Sequence, residues 1–150
     1  MARRFEHRGQ AAGVVLVDDY AHLPTEVGAV LATARSGGFA RVVAVFQPHR
    51  FSRTEALWSS FGGAFDDADV LYVTDVYPSG EAPRPGVSGR LVADAVLRDR
   101  PGADVRYVAR REDLLDALVG ELRDGDLCLT MGAGDLTAVP DQLRARLGAS

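Results

Sequence analysis

Residues 42–54 read Val42-Val43-Ala44-Val45-Phe46-Gln47-Pro48-His49-Arg50-Phe51-Ser52-Arg53-Thr54: an apolar, largely β-branched run that breaks at a proline and turns basic. A continuous apolar run of this length reads as a strand buried on both faces, the pattern of a parallel sheet. Ligands of open parallel sheets bind in the crevice beyond the carboxyl ends of the strands. The segment therefore puts the His49 imidazole and the Arg50 and Arg53 guanidinium groups where such a sheet would hold an anion. Two arginines three residues apart are neighbours on one helical face if the helix has begun by then. Such a pair suits a carboxylate or phosphate through charge-assisted hydrogen bonds. Beside Arg50, the charged form of His49 is disfavoured, which makes it a neutral hydrogen-bonding partner. The competing reading is a solvated loop whose arginines pair separately with Glu55 or Asp66.

Outward from this stretch, strand and helix patterns alternate. Val14–Val17 reads as a strand, and Pro24–Arg35 as a helix with proline in its first turn, closed by Ser36-Gly37-Gly38. Strand 41–46 leads through the basic loop to a helix over 54–61, then to strand 70–74. A long loop, Asp75–Gly89, carries Pro78, Pro83 and Pro85 with Gly80, Gly86 and Gly89; its length favours a functional role. Helix 90–97, strand 105–108, helix 112–122, strand 127–131 and helix 136–147 follow, and Arg3–Arg8 alternates as an edge strand against Val14. The pattern predicts an α/β fold: an open, mostly parallel, twisted, Rossmann-like sheet of about six strands, helices on both faces and one antiparallel edge strand.

The 150 residues are enough for one domain with a real core, and 47% hydrophobic with 25% charged residues is a globular composition. A net charge of -4 gives no electrostatic reason to expect nucleic-acid binding, and no apolar run approaches the ~20 residues of a membrane span. The start of the chain lacks the apolar core of a signal peptide, so the expected location is cytoplasmic. The single Cys128 lies in an apolar run and reads as a buried thiol. All 17 Lys-plus-Arg residues are arginines, so neither a Schiff-base lysine nor a P-loop lysine is present.

Two further segments carry candidate chemistry. The first strand runs into Asp18-Asp19-Tyr20-Ala21-His22-Leu23-Pro24-Thr25-Glu26. Successive strand side chains point to opposite faces, so Asp18 and Asp19 are not a close acid–base pair. One of them can accept from a ribose or an ammonium group; as metal ligands with His22 they lack a third partner at a diagnostic spacing. His22, just before a proline-initiated helix, also reads as a capping or packing residue. Gly132-Ala133-Gly134-Asp135 is a glycine-rich strand-to-helix turn, but without the full spacing of a dinucleotide fingerprint.

Taken together these motifs look familiar. The 18–26 stretch resembles the Asp-Asp-Tyr-Ala/Gly-His-His-Pro-Thr-Glu signature of the Mur ligase C-terminal domain. Phe46–Thr54 resembles the matching segment of that family's L-alanine-adding branch. Tyr77-Pro78-Ser79-Gly80-Glu81-Ala82-Pro83 and Gly132–Asp135 fit in order and spacing, so the likeness covers nearly the whole chain. The resemblance implies part of an ATP-dependent ligase of peptidoglycan synthesis, closing over ATP and Mg2+ held mainly by a central domain. ATP would phosphorylate the carboxylate of UDP-N-acetylmuramate, and the amino group of L-alanine would attack the acyl phosphate. By the same resemblance Tyr20 and His22 position the alanine, and His49, Arg50 and Arg53 line its carboxylate site. Asp18 and Asp19 lie toward the nucleotide ribose or the domain junction. No catalytic residue falls on this chain alone. Leu23 departs from the pattern, standing where the family has a second histidine. The UDP-binding and P-loop domains are not in these residues, so the isolated chain is expected to be inactive. Two other hypotheses are a stand-alone α/β module binding a nucleotide or small carboxylic acid, and a metal-dependent hydrolase using Asp18, Asp19 and His22.

Overall fold

The computed structural model describes residues 4–148. Six strands form one sheet: β1 (Glu6–Ala11), β2 (Val14–Asp19), β3 (Arg41–Phe46), β4 (Val70–Val73), β5 (Val105–Tyr107) and β6 (Asp126–Met131). Their spatial order is β1-β2-β6-β3-β4-β5, with β1 antiparallel to β2 and every other pair parallel. The expected edge strand is thus present, but it starts at Glu6 and runs to Ala11; Arg3 lies outside the described residues. The chain reverses into β2 through Ala12 and Gly13, whose φ values of 53° and 77° give the left-handed pair of a tight hairpin.

Every residue of β6 is buried, and so is every residue of β3 after Arg41, as continuous apolar runs in a two-sided sheet require. On one face α1 (Pro24–Arg35), the 3-10 turn Trp58–Phe61 and α3 (Arg90–Asp99) cover alternate residues Val42, Ala44 and Phe46. On the other, α4 (Arg111–Glu121) and α5 (Val139–Gly148) cover Val43, Val45 and Cys128. Cys128 is buried as expected, and burial pushes its thiol up to about 12, so it is inert at neutral pH.

β6 sits between β2 and β3 although it is last in sequence. The segments after β2 and β3 pack on one face of the sheet, while the segment after β6 packs on the other. Neighbouring strands whose connections diverge in this way open a crevice at their carboxyl ends. The basic loop of residues 47–53 leaves β3 at that crevice.

Candidate functional site

Beyond Phe46 the backbone stays pinned. The Gln47 N–H donates to the Met131 carbonyl at 3.0 Å, continuing the ladder with β6. Then Tyr77 N–H donates to Pro48 O at 2.9 Å and Arg50 N–H to Tyr77 O at 2.8 Å, which makes an isolated parallel bridge between His49 and Tyr77. Arg50 itself has φ 69° and ψ 140°, a conformation that costs a non-glycine residue about 1–3 kcal/mol. Its carbonyl accepts from Thr54 N–H at 3.1 Å and Thr54 Oγ1 at 2.8 Å, so both ends of the strained peptide are held.

Helix α2 spans Phe51–Leu57 and starts one residue after Arg50. The expected placement of Arg50 and Arg53 on one helical face is therefore corrected: Arg50 is the residue before the helix, and Arg53 lies in its first turn. The competing ion pairs do not form. Glu55 pairs with Arg84 at 2.7 Å and Asp66 with Arg100 at 3.8 Å. The guanidinium groups of Arg50 and Arg53 have no hydrogen bond or ion pair among the described residues. Two unpaired cations beside a crevice leave their donors available to an anion.

Aromatic rings line the same edge. The His49 ring stacks on Tyr77 with centroids 5.7 Å apart and planes at 16°, and lies 5.7 Å from the His22 ring. His22 in turn meets the Tyr20 ring edge-on at 5.3 Å. The structure thus brings Tyr20, His22 and His49 together, drawn from the ends of two strands that are not adjacent. The Nδ1 atom of His49 is buried with no partner among the described residues. Burial, then the charges of His22, Arg50 and Arg53, hold this imidazole below its ordinary pKa, so at neutral pH it is uncharged, in the direction expected from Arg50 alone.

His22 places its Nδ1 atom 3.1 Å from the Tyr20 carbonyl and 3.7 Å from Glu26. The cap of α1 is made by Glu26, which accepts from the backbone N–H groups of His22 at 3.2 Å and Leu23 at 3.1 Å. Leu23 supplies only its backbone to that cap, so the missing second histidine does not disturb the helix start.

Asp18 and Asp19 point to opposite faces, as the strand alternation requires. Asp18 is fully buried, accepts from Thr130 Oγ1 at 2.6 Å and Thr137 Oγ1 at 2.9 Å, and lies 3.8 Å from Arg8. Asp19, also buried, accepts from Phe5 N–H at 2.7 Å and Ala21 N–H at 2.8 Å. It also borders a cavity of about 240 Å³ shared with Arg4, Phe5, Ala29, Val30 and Thr33. Their oxygens already serve protein donors, and neither stands in the aromatic row.

The glycine-rich turn after β6 is a packing device. A Cβ on Gly134 would overlap Tyr77 Cγ and stand 2.8 Å from Gln47 Oε1, so the Tyr77 ring rests directly on that backbone. Just beyond the turn, Leu136 N–H donates to Gln47 Oε1 at 3.3 Å, and Gln47 Nε2 donates to Asp135 at 2.8 Å. Gly132 N–H, at the head of the turn, donates to Asp19 O at 3.2 Å.

Residues 75–89 add side chains that the sequence left without a task. Tyr77 backs His49, and Glu81 accepts from the N–H and hydroxyl of Ser52 at 3.0 and 2.5 Å. The available signal was the loop's length, since neither contact follows from local spacing.

The family model described as Mur ligase, glutamate ligase domain, matches residues 3–134. The chain is 52% identical over 141 residues to the UDP-N-acetylmuramate–L-alanine ligase of Myxococcus xanthus, covering 94% of this chain and 30% of that protein. Among solved structures, the UDP-N-acetylmuramate-alanine ligase of Thermotoga maritima matches with TM-score 0.77 and 26% identity, covering 96% of this chain and 29% of that one. A murein peptide ligase from Psychrobacter arcticus shares the fold, with TM-score 0.81 and 20% identity over 99% of this chain and 30% of that one. The chain thus spans about a third of the length of the ligases it matches. Strand order, motif positions and the family match agree: the chain belongs to the Mur ligase C-terminal domain family.

Proposed function

We propose that this domain is the amino-acid-binding and closing part of an ATP-dependent ligase that adds L-alanine to UDP-N-acetylmuramate in the cytoplasm during peptidoglycan synthesis. The observation that carries the reading is the pair of unpartnered guanidinium groups, Arg50 and Arg53, beside the neutral ring of His49 at the sheet's carboxyl edge. With His49 they line the site of the alanine carboxylate, while His22 and Tyr20 position the alanine. No strong base is needed at this site, because the acyl phosphate formed from ATP is reactive enough for an oriented amine. Asp18 and Asp19 serve the nucleotide side by fixing the end of β2 and the Phe5–Arg8 segment at the domain junction. Among the described residues no three His, Cys, Asp or Glu side chains gather as a metal site, and the sequence holds no lysine. This reading leaves ATP and Mg2+ mainly to the central domain of a larger ligase. Residues 1–150 form one domain of it, inactive when isolated.

The test is Arg50→Ala in the full-length ligase. Loss of a charge-assisted contact of about 1.5–3 kcal/mol should raise the KM for L-alanine at least tenfold and leave the KM for ATP unchanged. An unchanged alanine KM would remove Arg50 from the site.

A further inference from the structure

The strained Arg50 backbone needs something to hold it; Thr54 holds its carbonyl, and the remaining contacts of residues 50–52 come from residues 75–91. Arg50 N–H is bonded to Tyr77 O at 2.8 Å, on the peptide next to its φ of 69°. One residue on, Phe51 is buried in a small separate cluster with Val76, Val87 and Leu91. One residue further, Ser52 gives both its N–H and its hydroxyl to Glu81. Helix α2 has no side-chain cap from its own N-cap residue, Arg50, so Glu81 supplies the missing acceptor from the distant loop. Three successive residues after His49 are thus tied to one loop.

A positive φ also sets the direction of the Cα–Cβ bond. If Arg50 relaxed to the negative φ that L-residues prefer, its side chain would leave the peptide in another direction. We propose that Glu81 and Tyr77 are positioning residues: they clamp residues 50–52 so that Arg50 is aimed at the substrate carboxylate. The proposal rests on the amino-acid reading above and adds two residues that touch no substrate. It also gives the long loop a task, which is to preorganise one wall of the site.

The experiment is a double-mutant cycle in the full-length ligase, with L-alanine as the varied substrate. Glu81→Ala should lower kcat/KM for alanine about tenfold through KM, less than the roughly hundredfold that misplacing reacting groups by an ångström can cost. The KM for ATP should not move. Glu81→Gln, which keeps an oxygen for Ser52 N–H, should restore most of the loss. In an Arg50→Ala background, Glu81→Ala should have no further effect on alanine KM, because the group it positions is gone. If Glu81→Ala fails to fold, Ser52→Ala reads the same contact by removing the hydroxyl bond, with an expected two- to threefold rise in KM, about the effect of one modest hydrogen bond. Equal losses from Glu81→Ala with and without Arg50 would overturn the clamp, as would a neutral Glu81→Ala alongside a damaging Arg50→Ala. A neutral Arg50→Ala would instead fell the amino-acid reading itself.

Discussion

Arg50 offers a direct comparison between stability and function. Alanine and glycine at position 50 both remove the guanidinium, which has no partner among the described residues, so its loss costs the fold little. The two variants differ in backbone. At φ 69° and ψ 140° alanine keeps the strain of about 1–3 kcal/mol, while glycine relieves it. Glycine also gains freedom in the unfolded chain, which offsets about 0.5–1 kcal/mol of that relief. At the middle of these ranges Arg50→Gly should be more stable than Arg50→Ala by about 1 kcal/mol. Urea denaturation of the 150-residue chain reads this as a higher midpoint at constant slope. Thermal midpoints should separate in the same order by a few degrees, at roughly 2–4 °C per kcal/mol for a chain of this size. If the alanine variant proves as stable as the glycine variant, or more so, Arg50 is not strained and the clamp has nothing to hold. In the full-length ligase both variants should lose alanine affinity, so the more stable protein would still be the poorer enzyme.

His49 yields a pH prediction. Its folded pKa is depressed, so between that value and the ordinary ~6.5 the unfolded chain binds more protons, and stability rises with pH across that window. The contribution is complete above the unfolded value and is lost as the pH falls through the window; unfolding measured from pH 7 downward should show it, and His49→Gln should flatten that slope. Arg53→Ala removes one of the charges opposing protonation and should raise the His49 midpoint in an NMR titration; no movement would place Arg53 outside the cluster. Gly134→Ala drives a methyl group into Tyr77 and Gln47, which should cost about 1–3 kcal/mol by overpacking and shift the His49 ring resonances as the stack is disturbed. An unperturbed ring would mean that Tyr77 is free to yield.

Much of this molecule was legible in its sequence because its signals are local. The run Val42–Phe46 announced a two-sided strand, and proline in the first turn marked the start of α1. Opposite faces for Asp18 and Asp19 followed from the period of a strand alone. What escaped was set by long-range contacts. Helix α2 begins at Phe51 because Glu81, 29 residues away, caps it, and no local spacing carries that information. The unpaired state of Arg50 and Arg53 depended on where Arg84 and Arg100 reach. The 132–135 turn was legible as a glycine-rich strand-to-helix connection, but that Gly134 makes room for the Tyr77 ring and Gly132 lies against Gln47 was not.

The two rims of the sheet have a consequence for handling this domain as a separate piece. An exposed strand rim is a template on which another chain can add, and natural sheets blunt such rims with bulges, charge or brevity. Here β1 breaks register between His7 and Gln10, where Gly9 has φ 105°, and it carries Glu6 and Arg8. At the far rim β5 has only three residues, and Arg106 at its centre is joined to Asp104 and Glu121. Neither rim offers a long, flat, uncharged ladder, so the apolar strands Val42–Phe46 and Leu127–Met131 stay sealed inside a sheet that resists growing by recruitment of a second chain.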